Sequence, residues 1–241
     1  MTIPSSIFRY RTLKKLDLGR YNQELDAIKN NYLWLSKFEN LNDPMEFSFK
    51  NNFGKNDALG AIEKVSSKSS KDVYEAVENA IRTVKEYAVC CFSKSAINEP
   101  LWAYYADNFR GMCIEYDSAT ICNVKTGEEH PLLEVDYIYT LPKFDFNSIA
   151  ISRVTRDTKS LTTIFLATKK IVWKHEEEVR LVRNKACKFN LLENTIKSIT
   201  IGPRMPKDTE SDILKLAKIS GFIVHRINAK NYTLDLEKLD L

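Results

Sequence analysis

The chain has 241 residues, 44% of them hydrophobic, with 12 Phe, 11 Tyr and 3 Trp, enough apolar material for a sizeable core. Charged or polar residues cut every apolar run well short of the roughly 18 residues that a membrane-spanning helix needs, which excludes a helical membrane protein. With 36 basic against 32 acidic side chains the net charge is +4, far from the concentrated positive charge of a dedicated nucleic-acid binder.

The opening run Met1-Thr2-Ile3-Pro4 has neither an apolar h-region nor a cleavage site after it. The five cysteines (Cys90, Cys91, Cys113, Cys122, Cys187) show no C-x-x-C or Cys/His metal spacing. Both features predict a cytoplasmic protein whose thiols are reduced, small core residues.

Residues 7 to 11 alternate in type and predict a strand, followed by a short helix over about 22 to 30 with Asn22 as N-cap, and a second strand over Tyr32 to Leu35. The Asn, Asp and Pro of Glu39 to Pro44 predict a loop or tight turn just before Glu46. After the Ser/Lys-rich stretch Ser66 to Lys71, the i, i+3, i+4 recurrence of Val73, Ala76, Val77, Ala80, Ile81 and Val84 predicts an amphipathic helix from Asp72. Tyr87 to Phe92 reads as a central strand ending at Ser93, 99 to 109 as a helix, and Gly111 to Tyr116 as the next strand.

A polar connection, Lys125 to His130, leads to a strand over Leu133 to Tyr139, a long helix over roughly 147 to 171, and strands at Val179 to Val182 and Ile196 to Ile201. The last helix lies between Pro206 and Gly221, with Asp208 and Glu210 in its first turn and Ile213, Leu216, Ala217 and Ile219 turned inward; a strand over Phe222 to Ile227 follows. There is no internal repeat, no linker and no regular helix-strand alternation. The expected fold is one α+β domain over 1–241 with a mixed, mainly antiparallel sheet, continuous or split, flanked by helices, the element pair at 206–236 packing on the rest.

The seven glycines are too scattered to form a G-x-G-x-x-G or P-loop phosphate cradle, and neither H-E-x-x-H nor G-x-S-x-G occurs. Four polar segments remain. In Trp173-Lys174-His175-Glu176-Glu177-Glu178-Val179-Arg180-Leu181, an extended backbone over 176 to 181 puts Glu176, Glu178 and Arg180 on one face and Val179 and Leu181 on the other. Two close carboxylates raise each other's pKa while the arginine opposes this, a balance suited to acid, base or cation-stabilising work; a solvated strand edge with a structural salt bridge has the same pattern.

In Asn42-Asp43-Pro44-Met45-Glu46, the Asn and Asp side chains can bond their own backbone and aim Glu46, which reads as a structural turn with a candidate carboxylate after it. Ser93 ends a core strand ahead of Trp102 and Tyr105, aromatics at i and i+3 that are more often core than ligand platform. In Phe8-Arg9-Tyr10-Arg11 an arginine can hold a phosphate or carboxylate, or keep an edge strand soluble. Arg180, Arg183, Lys185 and Lys188 lack interleaved aromatics and read as a solvated face before a nucleic-acid stripe.

Taken in order, F-R-Y-R, L-W-L-S, L-N-D-P-M-E, C-F-S, L-W-A-Y-Y with G-M-C-I-E-Y, and W-K-H-E-E-E-V-R-L resemble the bacterial family called domain of unknown function 2971, over about residues 7 to 202. More distantly, a basic N-terminal strand, a strand ending in Ser and a late strand with Glu resemble the ADP-ribosyltransferase-like arrangement, which binds NAD in a split-sheet cleft without a glycine loop. That resemblance implies an enzyme, a transferase or NAD glycohydrolase, with NAD as substrate, no metal, and a role as toxin or defence effector. Arg9 or Tyr10 would contact the NAD phosphate or ribose and Ser93 would place the nicotinamide ribose. Glu178 or Glu176, with Arg180 beside them, would be catalytic, and Trp102, Tyr105, Asn42, Asp43 and Glu46 would complete the nucleotide site. The acceptor would be a protein or nucleic acid. The sequence has no Ser-Thr-Ser triplet after the strand. Two other readings stand beside this one. One is a Mg²⁺-dependent nuclease or phosphodiesterase using Asp43, Glu46 and the Glu176/Glu178 pair; the other is a non-catalytic binding module.

Overall fold

The computed structural model describes residues 3–46, 50–51, 82, 86–122, 132–140, 143–144, 166–231 and 233–240. The amphipathic helix expected from Asp72, the connection at Lys125 to His130 and most of the helix expected over 147 to 171 lie outside these residues.

The strands are β1 (Ser6–Arg11), β2 (Tyr32–Lys37), β3 (Lys50–Asn51), β4 (Ala88–Ser93), β5 (Met112–Asp117), β6 (Leu132–Glu134), β7 (Asp136–Ile138), β8 (Lys143–Phe144), β9 (Thr168–Lys170), β10 (Glu178–Arg183), β11 (Cys187–Asn190), β12 (Ile196–Ile201), β13 (Ile223–Lys230) and β14 (Thr233–Lys238). The helices are α1 (Leu18–Lys29), α2 (Glu99–Tyr104), α3 (Ser118–Cys122) and α4 (Lys207–Ser220), and 3₁₀ turns at Phe38–Asn40 and Ile171–Glu176 follow β2 and β9.

Ten strands form the main sheet, with one path β11-β2-β4-β1-β5-β12-β13-β14 and a branch from β4 through β10 to β6. Its pairings are antiparallel except β12 with β13, which α4 connects. The fold is therefore the expected α+β class with a mixed, mainly antiparallel sheet.

The sheet is split at β4. One edge of β4 is taken along its whole length by β10, from Glu178↔Ser93 to Arg183↔Ala88. The other edge is shared: β2 pairs only at Ser36↔Val89 and Lys37↔Ala88, and β1 only at Phe8↔Ser93. A strand has two hydrogen-bonding edges, so β1 and β2 must diverge over Cys90 to Phe92 and open a gap there.

Strand alternation assigns the two faces. Ile7, Cys90, Phe92, Met112, Ile114, Tyr116, Val179 and Leu181 turn toward α1 and α4 and form the main core with Tyr21, Ile28, Ile213, Leu216 and Ala217. Phe8, Tyr10, Cys113 and Ile227 turn the other way and pack with Leu101, Trp102 and Ala106. Burying the whole Trp102 indole against Tyr10 and Phe109, with Nε1 donating to the Ala96 carbonyl at 2.9 Å, fixes α2 on this second face.

Several expectations are corrected. Helix α1 begins earlier than expected, with Asp17 rather than Asn22 accepting at its N-cap. The helix expected over 99 to 109 stops at Tyr104, because Asp107, Asn108 and Phe109 all take left-handed backbone angles. Gly111 then lies so close to the Arg11 carbonyl that no side chain fits. The strand expected over Leu133 to Tyr139 divides into β6 and β7, which pair with different partners. Residues 168 to 170, expected to be helical, form β9 beside β7. Ile219 is exposed at 79% because it leaves the inward stripe of α4, and Cys122 is exposed rather than core. No helix among the described residues is long and apolar enough to cross a membrane.

Candidate functional site

At the split lies a cleft of about 760 Å³. Arg9, Tyr10, Asn42, Asp43, Glu46, Ser93, Tyr105, Glu176 and Glu178 all line it, so the four polar segments, distant in sequence, meet in one place. Trp102 and Arg180 are not part of its wall.

The floor on the α2 face is a buried charge cluster. Glu178 leads β10 directly opposite Ser93, so the carboxylate and the hydroxyl share a face at the point where β1 begins to pair. Arg180, two residues on and opposite Cys91, is wholly enclosed. Its Nε donates to Glu178 Oε1 at 2.7 Å, its Nη2 to Glu178 Oε2 at 3.0 Å and to Glu46 Oε1 at 2.8 Å, and its Nη1 to the Leu166 carbonyl at 2.9 Å. Nε and Nη2 thus hold the two glutamates while Nη1 ties the guanidinium to the backbone at Leu166, which makes Arg180 a positioning residue.

The second cation is Lys169. Its ammonium lies 2.5 Å from Glu176 Oε2, 3.2 Å from Glu178 Oε2 and 3.2 Å from Glu46 Oε1, with the Trp173 ring 5.1 Å away. Glu176 is not on the strand, as expected, but ends the 3₁₀ turn, and Glu177 at φ 47 then reverses the backbone into β10. That left-handed step lets Glu176 and Glu178 reach the same lysine. The other oxygen of Glu176 accepts from the Tyr105 hydroxyl at 2.7 Å, and the Tyr137 hydroxyl accepts from the Glu178 amide at 2.8 Å.

Three glutamates therefore face two cations, all but enclosed by protein. Burial pushes the Glu178 carboxyl up, but the charge and hydrogen bonds of Arg180, then Lys169, more than reverse this and hold it at about 2. Glu178 is thus a fixed anion at neutral pH rather than a proton donor. The same glutamates hold the Lys169 cation well above its ordinary range against the opposing effect of burial. Glu46 differs from its neighbours: its Oε2 is buried and has no hydrogen-bond partner among the described residues. The Cys91 thiol beside them is pushed well above its ordinary value by burial and then by Glu178, so it is no thiolate nucleophile.

Around this floor the turn residues behave as structure: Asp43 Oδ1 accepts from the Met45 amide at 2.9 Å and aims Glu46 inward. Tyr10 spends its hydroxyl on the Ser95 carbonyl (2.8 Å) and the Asn98 amide (3.2 Å), anchoring the segment after Ser93. Trp34 and Tyr104, 46% and 67% exposed, also line the cleft and offer ring faces that Trp102 cannot.

Arg9 lies on the other face. Phe8 is the β1 residue paired with Ser93, so Arg9 and Arg11 turn toward α1, where Arg9 reaches Tyr116 and Arg11 pairs with Glu24. β1 lies between β4 and β5 and is not an edge strand. Likewise β10 is flanked by β4 and β6, so its charges do not lie on a solvated edge.

Lys169, Tyr137, Trp34 and Tyr104 were not singled out by sequence. Lys169 stands beside Lys170 in a stretch expected to be helical, where neither lysine carries a local signal.

A family model described as "Protein of unknown function (DUF2971)" matches residues 101–181. No curated protein and no solved structure matches the chain. The matched segment runs from α2 through Lys169 to Glu178 and Arg180 on β10, so it includes most of the charge cluster, while F-R-Y-R and N-D-P-M-E lie before it. Over that segment the protein is similar to the DUF2971 family, as its motifs imply.

Proposed function

We propose that the cleft binds NAD and that the protein breaks the bond between nicotinamide and ribose, passing the ADP-ribosyl group to water or to an acceptor on a protein or nucleic acid. The observation that carries this reading is the in-register pair Ser93 and Glu178 at the split, backed by a cluster with one more carboxylate than cation. As nicotinamide leaves with the bonding electron pair, positive charge develops on the ribosyl ring. Carboxylates already fixed beside it stabilise that charge without reorganising, which favours the transition state over the ground state. The exposed rings of Trp34 and Tyr104 supply stacking surface for flat bases.

In the phosphodiesterase reading a divalent cation sits among the same glutamates; here Lys169 already supplies the charge between them. A second reading is favoured by a specific observation, that both oxygens of Glu176 and of Glu178 are hydrogen-bonded within the protein: the cluster locks the core of a binding module.

One experiment separates the two. Under the NAD reading, NAD raises the Tm and free nicotinamide accumulates, and Glu176→Gln keeps the fold but loses the nicotinamide signal. Under the binding-module reading, neither nicotinamide nor an NAD-dependent shift is seen, and Glu176→Gln affects only stability.

A further inference from the structure

The cleft has a second charged wall that the carboxylate chemistry does not use. Arg9 and Arg11 of β1 enter it on the α1 face, and Arg20 of α1 lines it beside them. Burial first, then the repulsion of Arg9 and of Arg20, disfavours the Arg11 cation. Among the described residues of this wall, the three guanidinium groups face one anion, Glu24, which pairs with Arg11, and the neighbouring Gln23 is neutral. Arg11 Nε is buried and has no hydrogen-bond partner among the described residues. Like charges gathered in a half-buried wall are costly unless an anion joins them, and forked donors of this kind match phosphate oxygens.

We propose that Arg9, Arg11 and Arg20 form a binding site for a phosphate or diphosphate group, on the face of the sheet opposite the glutamates. A ligand held there passes through the gap between β1 and β2, its anionic part among arginines and its other end over Ser93 and Glu178. This polarity suits the nicotinamide half of NAD, in which a ribose links the diphosphate to the cationic ring, but the site stands on its own geometry and needs no NAD.

The test is binding of inorganic pyrophosphate, followed by calorimetry and thermal shift, with sodium chloride at equal ionic strength as control. Wild-type protein is expected to bind pyrophosphate, and Arg20→Gln to weaken it roughly tenfold, as loss of one charged contact does. Arg11→Gln is expected to weaken it further, with near-UV circular dichroism checking that its fold is kept. ADP and adenosine distinguish a nucleotide-borne phosphate from free phosphate: ADP binding tighter than pyrophosphate, with adenosine silent, marks a nucleotide. Pyrophosphate binding without NAD binding keeps this site and removes the NAD reading. If pyrophosphate has no effect beyond that of chloride, or if both arginine variants bind it like wild type, the site is wrong, whatever NAD does.

Discussion

The two walls of the cleft carry opposite charge and are built by opposite means. On the α2 face, three glutamates, Lys169 and Arg180 are buried and cross-linked so that all but one carboxylate oxygen has a partner. On the α1 face, Arg9 and Arg11 are half-buried, Arg20 is exposed, and one glutamate answers them. The first wall is internally compensated, so removing one of its charges destabilises the fold; the second is more exposed and carries positive charge in excess. A buried pair is weak evidence for net stabilisation, but breaking it is costly because the survivor cannot return to water. The same substitution should therefore act on stability at one wall and on binding at the other.

The largest effect is expected from Arg180→Leu, which leaves Glu178 and Glu46 facing only Lys169: a loss of about 3–5 kcal/mol in urea unfolding. A loss under about 1 kcal/mol would erase the contrast between the walls. Next comes pH. Glu178 is held at about 2 against its ordinary 4.5, so its folded state binds fewer protons than its unfolded state. It contributes about 3 kcal/mol that is present above pH 4.5 and disappears as pH falls toward 2. Glu178→Gln should flatten that acid limb in a series of melts; an unchanged limb would assign it to other groups.

Smaller still is Tyr105→Phe, which removes one hydrogen bond to Glu176 and should cost about 1 kcal/mol. At the other wall Arg20→Gln should change stability by less than about 0.5 kcal/mol, since an exposed arginine contributes little to folding.

Much of this contrast was legible in the sequence. The alternating run 7 to 11, the short apolar run 87 to 92 and the strand expected at 196 to 201 located the strands that carry Arg9 and Ser93 and close the core, and Gly221 ended α4 in the left-handed conformation that favours glycine. N-D-P-M-E and E-E-E-V-R marked Glu46, Glu176, Glu178 and Arg180. Which face each residue takes was harder, because it depends on register: Phe8↔Ser93 places Arg9 away from Glu178, and nothing local to F-R-Y-R encodes that pairing. The left-handed Glu177 defeated the reading of 176 to 181 as one extended run, since a glutamate there gives no turn signal. Lys169 was hidden for the same reason, its partners being fixed by tertiary contacts.

Whether one ligand spans both walls is decided by calorimetric titration of NAD into wild type, Glu176→Gln and Arg20→Gln. A spanning ligand binds wild type saturably and one-to-one, binds Arg20→Gln about tenfold more weakly, and is retained by Glu176→Gln without nicotinamide release. Absence of binding at millimolar NAD, or wild-type binding in Arg20→Gln, would contradict a single spanning ligand.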